Sequence, residues 1–145
     1  MTQPTNRPLK ILFVCIGNSC RSQMAEAWAN HLGNGRVQAF SAGLYPLGSI
    51  TAQTYEVMAE KGIALEGQWS KGLRKVPVAE MDLVVGMGSE ISCPLPADFR
   101  GRTVDWEVPD PFGQGIDSFR SARDLIEREV VKLLADLMAP DPSAQ

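Results

Sequence analysis

The chain has 145 residues and a formal net charge of −3, with 44% apolar and 21% charged residues. These proportions are those of a globular domain with a buried core, which excludes a disordered, collagen-like or coiled-coil chain. The negative charge excludes the basic surface of a duplex-binding protein, so we expect no nucleic-acid partner. No apolar run reaches the roughly 18 residues of a membrane span, and residues 1–8 do not resemble a signal peptide. We therefore expect a cytoplasmic protein without membrane contact.

The first half of the chain alternates between predicted strands and helices. The apolar run from Leu9 to Cys15 predicts a buried strand, and a polar loop over Ile16 to Ser22 follows it. Apolar residues at helical spacing predict a helix over Gln23 to Leu32. Val37 to Phe40 predicts a second strand, and Thr51 to Lys61 predicts a second helix.

The alternation continues in the second half. Glu66 to Val78 is ambiguous and is interpreted as a short helix in an excursion, whereas Met81 to Met87 predicts a third strand. Thr103 to Trp106 predicts a short fourth strand. The clearest helix covers Asp117 to Met138, and Asp117 or Ser118 can cap it.

This pattern predicts an α/β fold in which helices cover both faces of a parallel sheet. We expect a single catalytic domain over 1–145, with flexible tails at 1–8 and 139–145. Ligands of such sheets bind at the carboxyl ends of the strands. Three loops leave predicted strands in that direction: Cys15–Ser22, Gly88–Pro96 and Trp106–Gly115.

The first of these loops has residues suited to binding an oxyanion. Cys15 ends a strand, and Arg21 follows six positions later at the start of a helix. The backbone N–H groups between them can point into one concavity, and Arg21 adds a permanently charged planar fork. Gly17 permits close backbone approach, and Asn18 can adopt a left-handed turn. The predicted oxyanion-binding residues are Ile16, Gly17, Asn18, Ser19, Cys20 and Arg21.

Cys15 is the predicted nucleophile of this site. A positive environment favours its thiolate, which would attack the central atom of the bound oxyanion. Ser22 can donate a hydrogen bond to that thiolate. The alternative is an ordinary strand-to-helix turn with a buried cysteine. We favour a loop that binds an oxyanion and carries a nucleophile, because a strand precedes it, a helix follows it and Ser22 is present.

Asp110 provides a second chemical group, in the third loop. Its carboxyl group can supply the proton that a leaving group needs after attack by Cys15. By itself Pro109-Asp110-Pro111 is better explained as a plain turn. Because the Cys15 loop is also present, we favour the interpretation of Asp110 as a general acid.

The motif CIGNSCRS, together with the later Asp110-Pro111, resembles the low-molecular-weight protein tyrosine phosphatase superfamily, which includes arsenate reductases. The resemblance extends from Leu9 to Leu137. It implies a four-stranded, flavodoxin-like three-layer fold. It also implies that Cys15 is the nucleophile, Arg21 the oxyanion ligand and Asp110 the general acid.

Two features favour the reductase branch. The chain reads Arg-Ser-Gln-Met-Ala-Glu, as the reductases commonly do, whereas the phosphatases usually have proline at the position of Gln23. After Asp110 it has only Phe112, where the phosphatases often carry aromatic residues, commonly tyrosines. The resemblance therefore implies an arsenate reductase that also binds phosphate. A phosphatase acting on phosphotyrosine or an aryl phosphate through a phosphocysteine is the alternative, and a non-catalytic oxyanion binder is a third hypothesis.

Arsenate reduction needs a second thiol to attack Cys15 and release arsenite. The thioredoxin-coupled relatives carry two further cysteines after the third strand. Here Gly88 stands at one of these positions and only Cys93 remains. Cys93, Cys20 or an external thiol can resolve Cys15. The resemblance thus implies a reductant such as thioredoxin, glutathione with glutaredoxin, or mycothiol, and no bound cofactor.

We expect no metal site. The single histidine, His31, cannot build a zinc site with these scattered cysteines. Some reductases of the family bind potassium near the residues matching Asn18 and Ser41, but this chain has Trp69 and Lys71 at the other two positions. A lysine there would repel a cation or replace it with its own ammonium. This departure predicts a protein without a potassium requirement.

Overall fold

Four parallel strands form the centre of the computed structural model, which describes residues 7–88 and 91–138. They are β1 (Leu9–Cys15), β2 (Val37–Gly43), β3 (Leu83–Gly86) and β4 (Arg102–Asp105), in the order β2-β1-β3-β4. This is the predicted flavodoxin-like α/β fold. The strand order reverses at β1, which pairs with β2 on one side and β3 on the other. Ligands of parallel sheets bind beyond the carboxyl ends of the strands at such a reversal.

Three α-helices pack on one face of the sheet. They are α1 (Arg21–Gly33), α2 (Ala52–Ala59) and α3 (Ile116–Met138). Alternate residues of β1 point to this face, so Cys15 belongs to the core that the helices cover. Other buried members of this core are Ile11, Phe13, Met24, Trp28, Val57, Met58, Phe119, Ile126 and Val130. Among the described residues, no helix combines the length and apolar character needed to cross a membrane.

Two short 3-10 helices, Leu73–Lys75 and Val78–Glu80, cover the opposite face. The predicted helices on both faces are therefore present, with α-helices on one side and 3-10 helices on the other. The two 3-10 helices stand in place of the single short helix that the sequence predicts between Glu66 and Val78. The core of this face consists of Leu12, Val14, Ala42, Val76, Val78, Met81, Val84 and Ile91.

Two predicted elements are longer than expected. Helix α1 begins at Arg21 rather than Gln23, because the Met24 N–H already donates to the Cys20 carbonyl at 3.0 Å. Strand β2 extends past Phe40 to Gly43, since its register with β1 continues to the end of β1.

The expected cap of α3 is wrong. The helix begins at Ile116, and the Ser118 N–H donates to the Gly115 carbonyl at 3.0 Å. Asp117 and Ser118 therefore lie inside the first turn rather than before it. Asp117 instead forms an ion pair with Arg120 at 2.9 Å.

The predicted tails lie mostly outside the described residues. All of 139–145 does, and within 1–8 only Arg7 and Pro8 are described. The Arg7 guanidinium pairs with Asp82 at 2.9 Å. This hydrogen-bonded pair lowers the pKa of Asp82 and ties the start of β1 to the start of β3.

Candidate active site

The loop after β1 borders a cavity of about 230 Å³. Cys15 ends β1 and is only 3% exposed, and Arg21 begins α1 and is 2% exposed. The cavity lining consists of Cys15, Ile16, Gly17, Ser19, Cys20, Arg21, Tyr45, Leu47, Asp110 and Phe112. Of the six predicted oxyanion-binding residues, all but Asn18 line this cavity.

Asn18 is fully buried and has the left-handed backbone conformation expected of it, with φ of 49°. Its Nδ2 donates to the Ser22 hydroxyl at 2.8 Å. The Ser22 oxygen in turn lies 2.8 Å from the Cys15 sulfur. Asn18 therefore contacts Cys15 indirectly, through Ser22, rather than lining the cavity.

The Arg21 guanidinium is fixed by backbone carbonyls from two other segments. Its Nη1 donates to the carbonyls of Met87, directly after β3, and Val108, beyond β4, at 2.8 Å each. Its Nη2 lies 3.7 Å from a carboxylate oxygen of Asp110. These contacts hold the positive charge at the carboxyl ends of the strands, where an oxyanion would bind.

Asp110 lies in the loop beyond β4 and is 45% exposed. Its other carboxylate oxygen accepts from the Phe112 N–H at 3.0 Å, which orients the carboxyl group. The fold therefore brings Asp110 to the same cavity as Cys15, although 95 residues separate them in the chain. Its position fits the role of an acid that protonates a leaving group.

Gly43 is a supporting residue to which the sequence alone assigned no role. A Cβ atom at this position would lie 2.7 Å from the Ile16 carbonyl oxygen and 2.9 Å from the Asn18 nitrogen. Both are backbone atoms that cannot move without moving the loop. Glycine is therefore required where the end of β2 passes beneath residues 15–21, which we call the oxyanion loop.

Gln23 and Gln68 form a second support that was not anticipated. Gln23 is fully buried, and its side-chain amide bonds the Asn18 side chain, the Trp69 carbonyl and the Gln68 amide. In the sequence Gln23 served only as a marker of the reductase branch. The burial of its amide is visible only in the structure, so the sequence carries no signal for this role.

Lys71 is 8% exposed, and its ammonium lies among oxygen atoms. Its Nζ is 3.0 Å from the Trp69 carbonyl oxygen, 3.5 Å from the Ser41 hydroxyl and 3.8 Å from the Glu26 carboxylate. Ser41 donates to Glu26 at 2.6 Å. Burial lowers the pKa of Lys71 and raises that of Glu26. The ammonium thus sits beside Ser41, where the resemblance placed a potassium site.

The three free cysteines have different surroundings. Cys20 is buried beside Cys15 in the cavity wall, 3.6 Å from the Thr51 hydroxyl, and burial raises its pKa. Cys93 is half-buried against the core of the opposite sheet face, and burial raises its pKa as well. It lines a different cavity, with Ile91 and Asp105. The structure therefore does not bring Cys93 to Cys15.

The chain matches the family model for low molecular weight phosphotyrosine protein phosphatases over residues 10–141. It is 34% identical over 131 residues to a glutaredoxin arsenate reductase of Synechocystis, covering 88% of this chain and 98% of that protein. A solved structure described as an arsenate reductase in the phosphate binding state has a TM-score of 0.78 at 33% identity, covering 88% of this chain and 98% of the other.

An arginine phosphatase from Geobacillus stearothermophilus is also similar, with a TM-score of 0.74 at 30% identity over 90% of this chain and 93% of the other. The similar proteins thus include both reductases and phosphatases on one fold. Because the family model covers nearly the whole chain, this protein belongs to the low molecular weight phosphotyrosine protein phosphatase family.

Proposed function

We propose that this protein is a thiol-dependent arsenate reductase with one catalytic domain. The observation that carries this proposal is the cavity in which Cys15, Arg21 and Asp110 meet. Extensive similarity to proteins named arsenate reductases supports arsenate as the substrate. Phosphate has nearly the same size and charge, so we expect it to compete for the same cavity.

In the first step the Cys15 thiolate attacks the arsenic atom of bound arsenate. An S–As bond forms and an As–O bond breaks, and Asp110 supplies the proton that lets the oxygen leave as water. Arg21 and the backbone N–H groups of the loop hold the remaining oxygens. The Ser22 hydroxyl, 2.8 Å from the Cys15 sulfur, is placed to donate a hydrogen bond to the attacking thiolate, which itself can only accept.

In the second step another thiolate attacks the Cys15 sulfur. A disulfide forms and the S–As bond breaks, and its electron pair stays on arsenic, which leaves as arsenite. The placement of Cys93 on the opposite sheet face favours an external thiol that enters through the cavity mouth. The name of the Synechocystis relative favours glutathione with glutaredoxin, in a reducing cytosol, over thioredoxin or mycothiol.

The decisive experiment supplies arsenate with each of the three reducing systems to the unaltered protein, Cys93→Ser and Cys15→Ser. We expect arsenite with glutathione and glutaredoxin, retained in Cys93→Ser and lost in Cys15→Ser. Loss of arsenite formation in Cys93→Ser would instead identify Cys93 as the resolving thiol. Failure of the unaltered protein with every reductant would contradict the proposed reductase.

Phosphate ester hydrolysis is the second candidate function. The similarity to an arginine phosphatase favours it, and so does the exposed apolar rim of Tyr45, Leu47 and Phe112, which could contact an aryl group. In the first step the Cys15 thiolate would attack phosphorus, and the alcohol of the ester would leave with a proton from Asp110. In the second step water would attack the phosphorus of the phosphocysteine, which breaks the S–P bond and releases phosphate. Turnover of an aryl phosphate without arsenite formation, unaffected by Cys93→Ser, would establish this function instead.

A further inference from the structure

Gln23 lies behind the oxyanion loop and does not line the cavity. Its side chain is fully buried, yet every polar atom of the amide has a partner. Nε2 lies 2.8 Å from the Asn18 side-chain oxygen and 3.0 Å from the Trp69 carbonyl, and Oε1 accepts from Gln68 at 2.7 Å. The amide therefore joins the oxyanion loop to residues 68–71, which follow it by some 45 positions in the chain.

Backbone groups fix the orientation of the amides in this network. The Lys71 backbone N–H can only donate, so the atom of Asn18 that faces it at 2.8 Å is Oδ1, and Nδ2 faces Ser22. The Trp69 carbonyl can only accept, so the atom of Gln23 that faces it is Nε2. Each donor and acceptor is thereby assigned without reference to Cys15.

This assignment determines which way the Ser22 hydroxyl points. Asn18 donates to the hydroxyl oxygen at 2.8 Å, so the hydroxyl accepts on that side. Its own hydrogen is then available to the Cys15 sulfur, 2.8 Å away. A hydrogen bond donated to sulfur favours the thiolate over the thiol. The hydrogen bonds from Gln68 to Gln23, from Gln23 to Asn18, from Asn18 to Ser22 and from Ser22 to Cys15 therefore run in one direction, toward the sulfur.

We propose that Gln23, held by Gln68, is a positioning residue for Cys15. It supplies the second donor to the Asn18 oxygen and keeps the Trp69–Lys71 backbone against the loop. Asn18 therefore stays oriented with its Nδ2 toward Ser22. This inference rests on the proposed role of Cys15 as nucleophile, although the contacts themselves do not depend on the substrate.

The test replaces Gln23 by methionine, which keeps the length of the side chain and removes its donor and acceptor. Gln68→Met weakens the same network one bond further away, and Gln53→Met on the exposed face of α2 is the matched control. Alkylation of Cys15 by iodoacetamide is followed against pH with peptide-resolved mass spectrometry. Inorganic phosphate binding is measured by calorimetry.

In Gln23→Met we expect the midpoint of Cys15 alkylation to rise by about one pH unit, while the Kd for phosphate changes by less than about threefold. Gln68→Met should give a smaller shift in the same direction, and Gln53→Met none. In arsenate turnover near neutral pH, kcat should fall with little change in KM.

An unchanged midpoint in folded Gln23→Met would contradict the positioning role. A Kd for phosphate that rises by as large a factor as the thiolate fraction of Cys15 falls would also contradict the positioning role. Gln23 would then only maintain the shape of the loop. If Gln23→Met does not fold, Gln68→Met is judged by the same two measurements. Alkylation needs no arsenate turnover, so failure of this inference and failure of the proposed reductase are distinguishable.

Discussion

The Ser22 hydroxyl contacts the Cys15 sulfur on one side and the Asn18 amide on the other, both at 2.8 Å. Sequence spacing was enough to place a cysteine, an arginine and a serine in one loop, because these residues are local to it. The partners that orient the serine come from the buried interior of the loop and from a distant segment. Their contribution is visible only after folding.

If Cys15 attacks arsenate as we propose, removing the Ser22 hydroxyl should weaken that attack. We expect Ser22→Ala to lower kcat/KM for arsenate at neutral pH by about 10- to 100-fold, with partial recovery at higher pH as more Cys15 ionises. The measurement is a pH profile of kcat/KM. Ser121→Ala, exposed on α3, is the control. A profile identical to that of the unaltered protein would show that Ser22 does not act on the thiolate.

Lys71 supplies an internal cation beneath the same loop. We expect the unaltered protein to show equal arsenate reduction in potassium and sodium salts at one ionic strength. Lys71→Met removes the ammonium but leaves the oxygens of Ser41, Glu26 and Trp69, so it should acquire a rate that depends on potassium. Lys61→Met, an exposed substitution, is the control. Potassium activation of the unaltered protein would contradict this prediction.

At the scale of elements, the end of β2 must pass close beneath the oxyanion loop. Gly43→Ala would place a Cβ against the backbone of Ile16 and Asn18. We expect it to cost about 1–3 kcal/mol of stability and to weaken phosphate binding, because the loop must shift. Thermal unfolding and phosphate calorimetry measure both effects. Gly115→Ala has open space around it and should leave phosphate binding unchanged; equal effects in the two variants would contradict the steric explanation.

Helices α2 and α3 are joined by Glu60, which accepts from Arg120 at 2.7 Å and from Arg123 at 2.6 Å. Arg123 also donates to the Val57 carbonyl at 2.9 Å. The hydrogen bonds from the two arginines lower the pKa of Glu60 from its ordinary 4.5 to about 2. A carboxyl group whose pKa is lowered by folding contributes fully to stability at any pH above its pKa in the unfolded chain. That contribution is lost as the pH falls from there through its pKa in the folded protein.

Glu60→Gln should therefore lower Tm at pH 7. The difference from the unaltered protein should shrink as the pH falls from 4.5 to about 2. Thermal unfolding followed across this range measures it. Glu56→Gln, exposed on α2, serves as the control. A difference in Tm that does not change with pH would show that Glu60 stabilises the helices through packing rather than charge.

The sequence located all four strands and all three α-helices, because periodicity and turn residues are local signals. It missed the start of α1 by two residues, since Arg21 belongs both to the loop and to the helix. It also misplaced the cap of α3, and it predicted one short helix between Glu66 and Val78 where the structure has two 3-10 helices. Those segments are determined by packing against the sheet, which the local pattern does not encode.

At the scale of the whole molecule, the site is assembled from distant segments. Cys15 is the last residue of β1, Arg21 bonds carbonyls beyond β3 and β4, and Asp110 lies in the loop beyond β4. The local motif could predict Cys15 and Arg21, whereas Asp110 was favoured as an acid only in combination with that motif. No sequence pattern joined Gln23 to Gln68, because their contact depends on how residues 66–71 return to the sheet.

A ligand that binds only this assembled site should stabilise the fold. We expect phosphate to raise Tm with a dependence on concentration that follows its Kd, because it binds the folded chain and not the unfolded one. Arg21→Lys should show little increase at the same concentrations. Thermal unfolding with sulfate-free buffers and matched ionic strength measures the effect. An equal increase in both proteins would indicate a general salt effect rather than binding at this site.

Arg21 holds the strands together as well as facing the cavity. Both hydrogens of its Nη1 are used by the Met87 and Val108 carbonyls, and a lysine has only one nitrogen with which to replace those bonds and the charge toward an anion. A substitution of Arg21 therefore disturbs the pairing of two buried carbonyls as well as the charge that faces the cavity. Substitutions that change which anion binds should therefore occur among the residues around the cavity mouth rather than at Arg21.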